Sequence, residues 1–81
     1  QVIYSMCAHE VSNISYVTRI HKIWLENCQA GLIIHLSLAF KYGILLMDAA
    51  RVVQAKVKDA VEKYTAINVI AVDIVIRTLD I

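Results

Sequence analysis

Proline is absent from this chain of 81 residues, and glycine occurs only at Gly31 and Gly43. The usual punctuation between elements is almost missing, so turns must be sought in Ser, Asn and the two glycines. Cysteine is scarce too: Cys7 and Cys28 stand in apolar settings and are too few for a disulfide scaffold. A reduced, cytoplasmic context is therefore expected. An excess of one charge is also lacking. Eight Lys and Arg against seven Asp and Glu leave a net charge of +1. The concentrated basic patch of a nucleic-acid binder does not appear, and the cluster of Lys56, Lys58 and Lys63 is interleaved with Asp59 and Glu62 as on a solvated helix face. No long apolar run exists. The longest stretch free of Asp, Glu, Lys and Arg is the fourteen residues from Asn27 to Phe40, with Gln29, His35 and Ser37 inside it. A membrane-crossing helix needs about 20 mostly apolar residues, so no direct span is expected. No positively charged leader precedes a short apolar run at the N-terminus, so no signal peptide is expected.

What the chain does have is apolar residues, 59% of the total, which excludes disorder. Its length suits a single domain, residues 1–81, with one modest core. In "QVIYSMCAHE" the spacing of Val2, Ile3, Met6, Cys7 and then Val11 predicts a short amphipathic helix, broken by Ser12-Asn13. Residues 16–26, "YVTRIHKIWLE", are rich in β-branched and aromatic types and carry charges on both parities. They predict an edge strand with Thr18, Ile20, Lys22 and Trp24 on one side and Arg19, His21, Ile23 and Leu25 on the other. "ENCQAG" supplies a turn. The clearest strand follows, with Leu32, Ile34, Leu36, Leu38 and Phe40 on one face and Ile33, His35, Ser37, Ala39 and Lys41 on the other. It pairs with the preceding strand as an antiparallel hairpin, and Gly43 ends it.

The period then lengthens. Leu46, Ala50, Val53, Val57, Ala60, Val61 and Tyr64 form one helical stripe, with Asp48, Arg51, Gln54, Lys58, Glu62 and Lys63 mostly opposite. After Thr65-Ala66-Ile67 the apolar residues alternate. A strand over Asn68 to Thr78 is expected to bury Ile70, Val72, Ile74 and Ile76 and to show Val69, Ala71, Asp73, Val75, Arg77 and Leu79 on its other face. The order α-β-β-α-β predicts an α+β two-layer sandwich, its two helices on one face of a mainly antiparallel sheet.

The run "HLSLAFKYGILLMDAARVVQAKVKDAVEKYTAINVIAVDIVI" resembles the core of the alkaline shock protein family, the envelope stress response proteins of Gram-positive bacteria. The resemblance rests on Tyr42-Gly43 closing a hydrophobic strand, on Ala50, Val53-Gln54 and Val57 to Glu62 in the helix, and on Thr65-Ala66 before the Val69 to Ile76 run with Asp73. Ala8, Glu10, Val11 and Ile14 are similar to the close of the family's first helix. Three places depart from the pattern: Ala66 stands for a glycine, Ile44-Leu45-Leu46 for a proline after Tyr-Gly, and Ser12-Asn13 for a Glu-Gly turn. The resemblance implies a β-α-β-β-α-β domain, here lacking the first strand. It also implies a cytoplasmic stress-response scaffold that assembles with itself and gathers near the membrane through an anchoring partner protein.

No catalytic, cofactor or metal site emerges from the residues. His9, His21 and His35 with Cys7 and Cys28 lack the close pairs of zinc ligands, although His21 and His35 are about equally spaced from the hairpin turn and could oppose each other. No Cys-His-acid grouping supports a nucleophile. A KH-like RNA-binding module shares the element order, but it clamps its ligand with a G-x-x-G loop between helices, and neither glycine here joins two helices. Docking to a metabolic enzyme as a regulatory domain is a further alternative that the sequence does not discriminate. The outer sheet face is too apolar to meet only water. Ile33, Val69, Val75 and Leu79 are its candidate protein contacts, with Asp73 and Arg77 setting register, and a homo-oligomer is the expected product.

Overall fold

The computed structural model describes residues 2–81. Its elements are α1 (Val2–Ser12), β1 (Val17–Cys28), β2 (Gly31–Lys41), α2 (Leu46–Thr65) and β3 (Val69–Asp80). Gln1, the first residue of the expected helix, lies outside the described residues. The sheet order is β1-β2-β3, with β2 antiparallel to β1 and parallel to β3. The sheet is thus mixed, because β2 and β3 are joined by a helical crossover rather than a hairpin. Both helices lie on one face: α1 packs on α2 and β1, and α2 packs on β3.

Between the layers, Leu32, Ile34, Leu36, Leu38 and Phe40 of β2 meet Val53, Val57 and Val61 of α2 and Cys7 and Val11 of α1. Most of these side chains are fully buried. Each stabilises the fold by roughly 1.5–3 kcal/mol relative to exposure. The stripe of α2 is shifted slightly from the expected one: Ala49 is buried, whereas Tyr64 is 71% exposed. At that last turn Val61 is buried against the sheet, and the ring of Tyr64 lies outside the layer.

Four bulges reset the alternation along the two outer strands. In β1, Thr18 and His21 are each inserted between paired residues, so Ile20, Ile23 and Leu25 share the helix face while Arg19, Lys22, Trp24 and Glu26 share the other. The expected parity, with Ile20 beside Lys22 and Trp24, is therefore corrected. In β3 the extra residues are Ile70 and Arg77. Ile70, expected inside, is 43% exposed, and Val69, expected on the outer face, is 1% exposed in the core. The bulge at Arg77 likewise turns Leu79, expected beside Val75, into register with the inward Phe40.

At the joint between α2 and β3, Ala66 caps the helix with φ 60° and ψ 13°, its N–H donating to the Glu62 carbonyl at 3.1 Å. A left-handed cap without glycine carries a steric cost from the Cβ. Ala66→Gly should stabilise the domain by about 1 kcal/mol, raising the melting temperature by roughly 4–8 °C. An unchanged or lower value in thermal denaturation would refute the assignment. Glu62 is not the solvated helix carboxylate its position suggests: its Oε2 accepts the Val69 N–H at 3.0 Å and ties the first residue of β3 to the helix.

Candidate functional site

The face of the sheet turned away from the helices carries the chemistry. Its residues follow from the register: Arg19, Lys22, Trp24 and Glu26 of β1, Ile33, His35, Ser37 and Ala39 of β2, and Ala71, Asp73, Val75 and Thr78 of β3. At its centre Trp24 opposes His35, the rings stacked 4.7 Å apart at 6°. Lys22 Nζ lies 4.8 Å from the Trp24 ring centroid and adds a cation–π contact. His35 Nε2 lies 2.9 Å from Glu26 Oε1 and Nδ1 lies 3.2 Å from Asp73 Oδ2, each within hydrogen-bond distance. A row of opposite charges thus crosses all three strands.

Ionised carboxylates only accept hydrogen bonds, so it is the protonated His35 ring that satisfies both at once, one through each nitrogen. The hydrogen bond to Glu26 raises its pKa above the ordinary 6.5 and that to Asp73 adds to the rise, against a smaller lowering from burial. A histidine whose folded pKa is raised contributes stability that is complete below about pH 6.5 and is lost as pH climbs through the folded value. The melting temperature should fall across that window in the wild type. His35→Gln should flatten the profile; a parallel fall in the variant would remove the histidine as the cause. The effect should be modest, because the Glu26 and Asp73 side chains are 54% and 58% exposed.

His21 does not oppose His35. As a bulge residue it reaches across the buried Ala39 to share a hydrogen bond with Thr78 Oγ1 at 3.3 Å. Beside it Thr18 donates to Asp80 Oδ2 at 2.6 Å. The Ser37 hydroxyl, also on this face, is buried without a partner among the described residues. Of the expected contact residues, Ile33, Asp73 and Val75 lie together on the face and Arg77 borders it at its bulge, while Val69 and Leu79 are turned to the helix side. Trp24, Lys22 and Glu26 were not placed on this face in the sequence, because the bulges at Thr18 and His21 break their parity from the residues before them. The polar residues at bulge positions 18 and 21 were the available signal.

Elsewhere the chemistry is sparse. Burial pushes the Cys7 thiol up to about 11, which makes it inert. The exposed Cys28 has its Sγ 3.8 Å from Glu26 Oε2, so a carboxylate stands between thiol and imidazole, the reverse of the order that activates a nucleophile. A groove of about 640 Å³ between the helices is lined by Val2, Ser5, Met6, His9, Glu10, Ala60 and Tyr64. Among the described residues no group of His, Cys, Asp and Glu is arranged to hold a metal ion, and no helix is long and apolar enough to cross a membrane.

Residues 19–81 match the alkaline shock protein family, described as cell envelope-related in function. The chain belongs to that family. The matched segment holds the whole open face and α2 and begins after α1. No curated protein matches the sequence. Among solved structures the family member is similar to the MamB CTD magnetosome protein of Desulfamplus magnetovallimortis BW-1, with TM-score 0.74 and 10% identity over 96% of this chain and 94% of that one. A variant of MamM-CTD gives TM-score 0.66 at 8% identity over 96% and 95% of the two chains. A MamM CTD copper form gives 0.64 at 8% over 95% and 94%. Identities this low establish a shared fold.

Proposed function

We propose that this domain is a non-enzymatic, cytoplasmic scaffold of the envelope stress response, which works by associating with itself and docking a membrane-anchoring partner through its open sheet face. The observation that carries this reading is the face itself. Neither helix covers it, Trp24 and Val75 are 39% and 46% exposed there, and they flank a charged row that can impose orientation on whatever binds. An uncovered sheet face of mixed apolar and paired polar residues suits recognition better than catalysis. Membership of a cell envelope-related family supports the setting.

Ile33 lies between Glu26 and Ala71 on this face. Ile33→Lys would place a charge in the contact while leaving the core untouched. The wild type should sediment as an oligomer at micromolar concentration. The variant should sediment as a smaller species than the wild type, with an unchanged circular dichroism spectrum. A wild type that stays monomeric at every concentration would overturn the proposal.

A further inference from the structure

We propose that the free edge of β3 is a self-recognition strand, in which Asp73 to Arg77 pairs antiparallel with the same segment of a second copy about a two-fold axis at Val75. This deepens the scaffold reading and rests on it.

The hydrogen-bond phase of the sheet shows which backbone groups are available. Leu32 N–H donates to the Asn68 carbonyl at 2.9 Å and Lys41 N–H to the Tyr16 carbonyl at 2.8 Å, so even residues of β2 face β3 and odd ones face β1. With Ile34, Leu36 and Leu38 opposite Val72, Ile74 and Ile76, the parallel ladder uses the backbone of Ala71, Asp73, Val75 and Arg77. The N–H and C=O groups of Val72, Ile74 and Ile76 therefore point away from the sheet.

Both ends of this outward row are closed. Gln54 Nε2 of α2 donates to the Val72 carbonyl at 2.9 Å, and beyond it Glu62 takes the Val69 N–H. The bulge at Arg77 ends the regular run on the other side. The open segment is Asp73 to Arg77, and its midpoint is Val75.

Charge selects the same centre independently. With Val75 opposite itself, Ile74 exchanges backbone hydrogen bonds with Ile76 of the second copy, and Asp73 stands opposite Arg77 twice, once on each side of the axis. Centring on Ile74 would set Asp73 against Val75, and centring on Ile76 would set it against Leu79; each leaves both charges facing apolar side chains. Opposite charges in directly facing positions favour a register. In β1 the bulges at Thr18 and His21 leave a regular run only from Lys22 to Cys28, and its two charges are already engaged within the chain, Lys22 over the Trp24 ring and Glu26 with His35. Pairing through β3 would join two three-stranded sheets into one of six strands. It would cover the exposed Val75 and bring the two open faces side by side.

The test uses charge exchange. Asp73→Arg and Arg77→Asp should each raise the dimer dissociation constant about tenfold or more in sedimentation equilibrium, because like charges then face each other on both sides of the axis. An equimolar mixture of the two should recover association, since the first variant's arginines then oppose the second's aspartates. Asp73→Arg also removes the bond to His35. Should that variant fail to fold, Arg77→Asp and hydrogen exchange on the wild type carry the test: the Ile74 and Ile76 amides should become protected as concentration rises. Association that ignores both reversals, with those amides exchanging at the same rate in dilute and concentrated protein, would overturn the edge register and leave the scaffold reading standing. A wild type that never associates would overturn both.

Discussion

Gly31→Ala should destabilise the domain by about 3 kcal/mol, from a steric clash of roughly 1–3 kcal/mol and backbone strain of similar size. Gly31 closes the hairpin opposite Cys28 at φ 153°, and the chain entering β3 passes directly over it. A Cβ there would sit inside the Asn68 carbonyl oxygen, 3.1 Å from Ile70 Cγ1 and 3.2 Å from Asn68 Nδ2. The oxygen belongs to the backbone and cannot swing aside as a side-chain tip would. It also accepts the Leu32 N–H at 2.9 Å, while Asn68 Nδ2 donates to the Ala30 carbonyl at 3.0 Å, so moving it breaks the bonds that seat β3 on the hairpin. In a domain of this size the melting temperature should fall by roughly 12–24 °C. Gly43→Ala is the control: φ is 91° but nothing lies within 4 Å of a Cβ, so only the backbone term remains. Equal melting temperatures for the two variants would show that the close approach has no energetic weight.

The fold was legible where one strand is fully enclosed. β2 has neighbours on both edges, its alternation is unbroken, and its five inward residues all belong to the core. The helix-to-strand change at Thr65-Ala66-Ile67 was legible as well, because the apolar spacing passes there from three-to-four to two, and Ala66 takes the positive φ of the cap. The outer strands were not. A bulge is marked at most by a polar residue, as at Thr18 and His21 but not at Ile70, and each one inverts the parity of everything beyond it. Val69 and Ile70 exchanged faces for this reason, and Lys22 and Trp24 were separated from Arg19. The candidate site suffered most, since it is read across three strands and two of them are bulged. Glu26, His35 and Asp73 lie far apart in sequence, and only the combined register of both pairs brings them into one row.

Phe40→Ala should destabilise the domain by about 3–5 kcal/mol, the range for removing a buried aromatic ring. Phe40 has no exposed surface, and its register neighbours are Val17 and Leu79. Its ring meets Tyr16 edge to face, centroids 5.6 Å apart at 79°, and the Tyr16 hydroxyl donates to the Ala49 carbonyl at 2.9 Å. One ring therefore holds together the start of β1, the end of β3 and the first turn of α2, and its loss opens a cavity touching all three. Urea denaturation should show the midpoint falling at constant slope, as for a change in stability alone. The variant also separates two properties that surface substitutions confound. Phe40 faces the helices, so below its melting temperature Phe40→Ala should associate with an unaltered dissociation constant, whereas Ile33→Lys should lose the association made through the open face with little change in monomer stability. If Phe40→Ala disperses the oligomer while still folded, the open face and the β3 edge are not the surfaces that hold it.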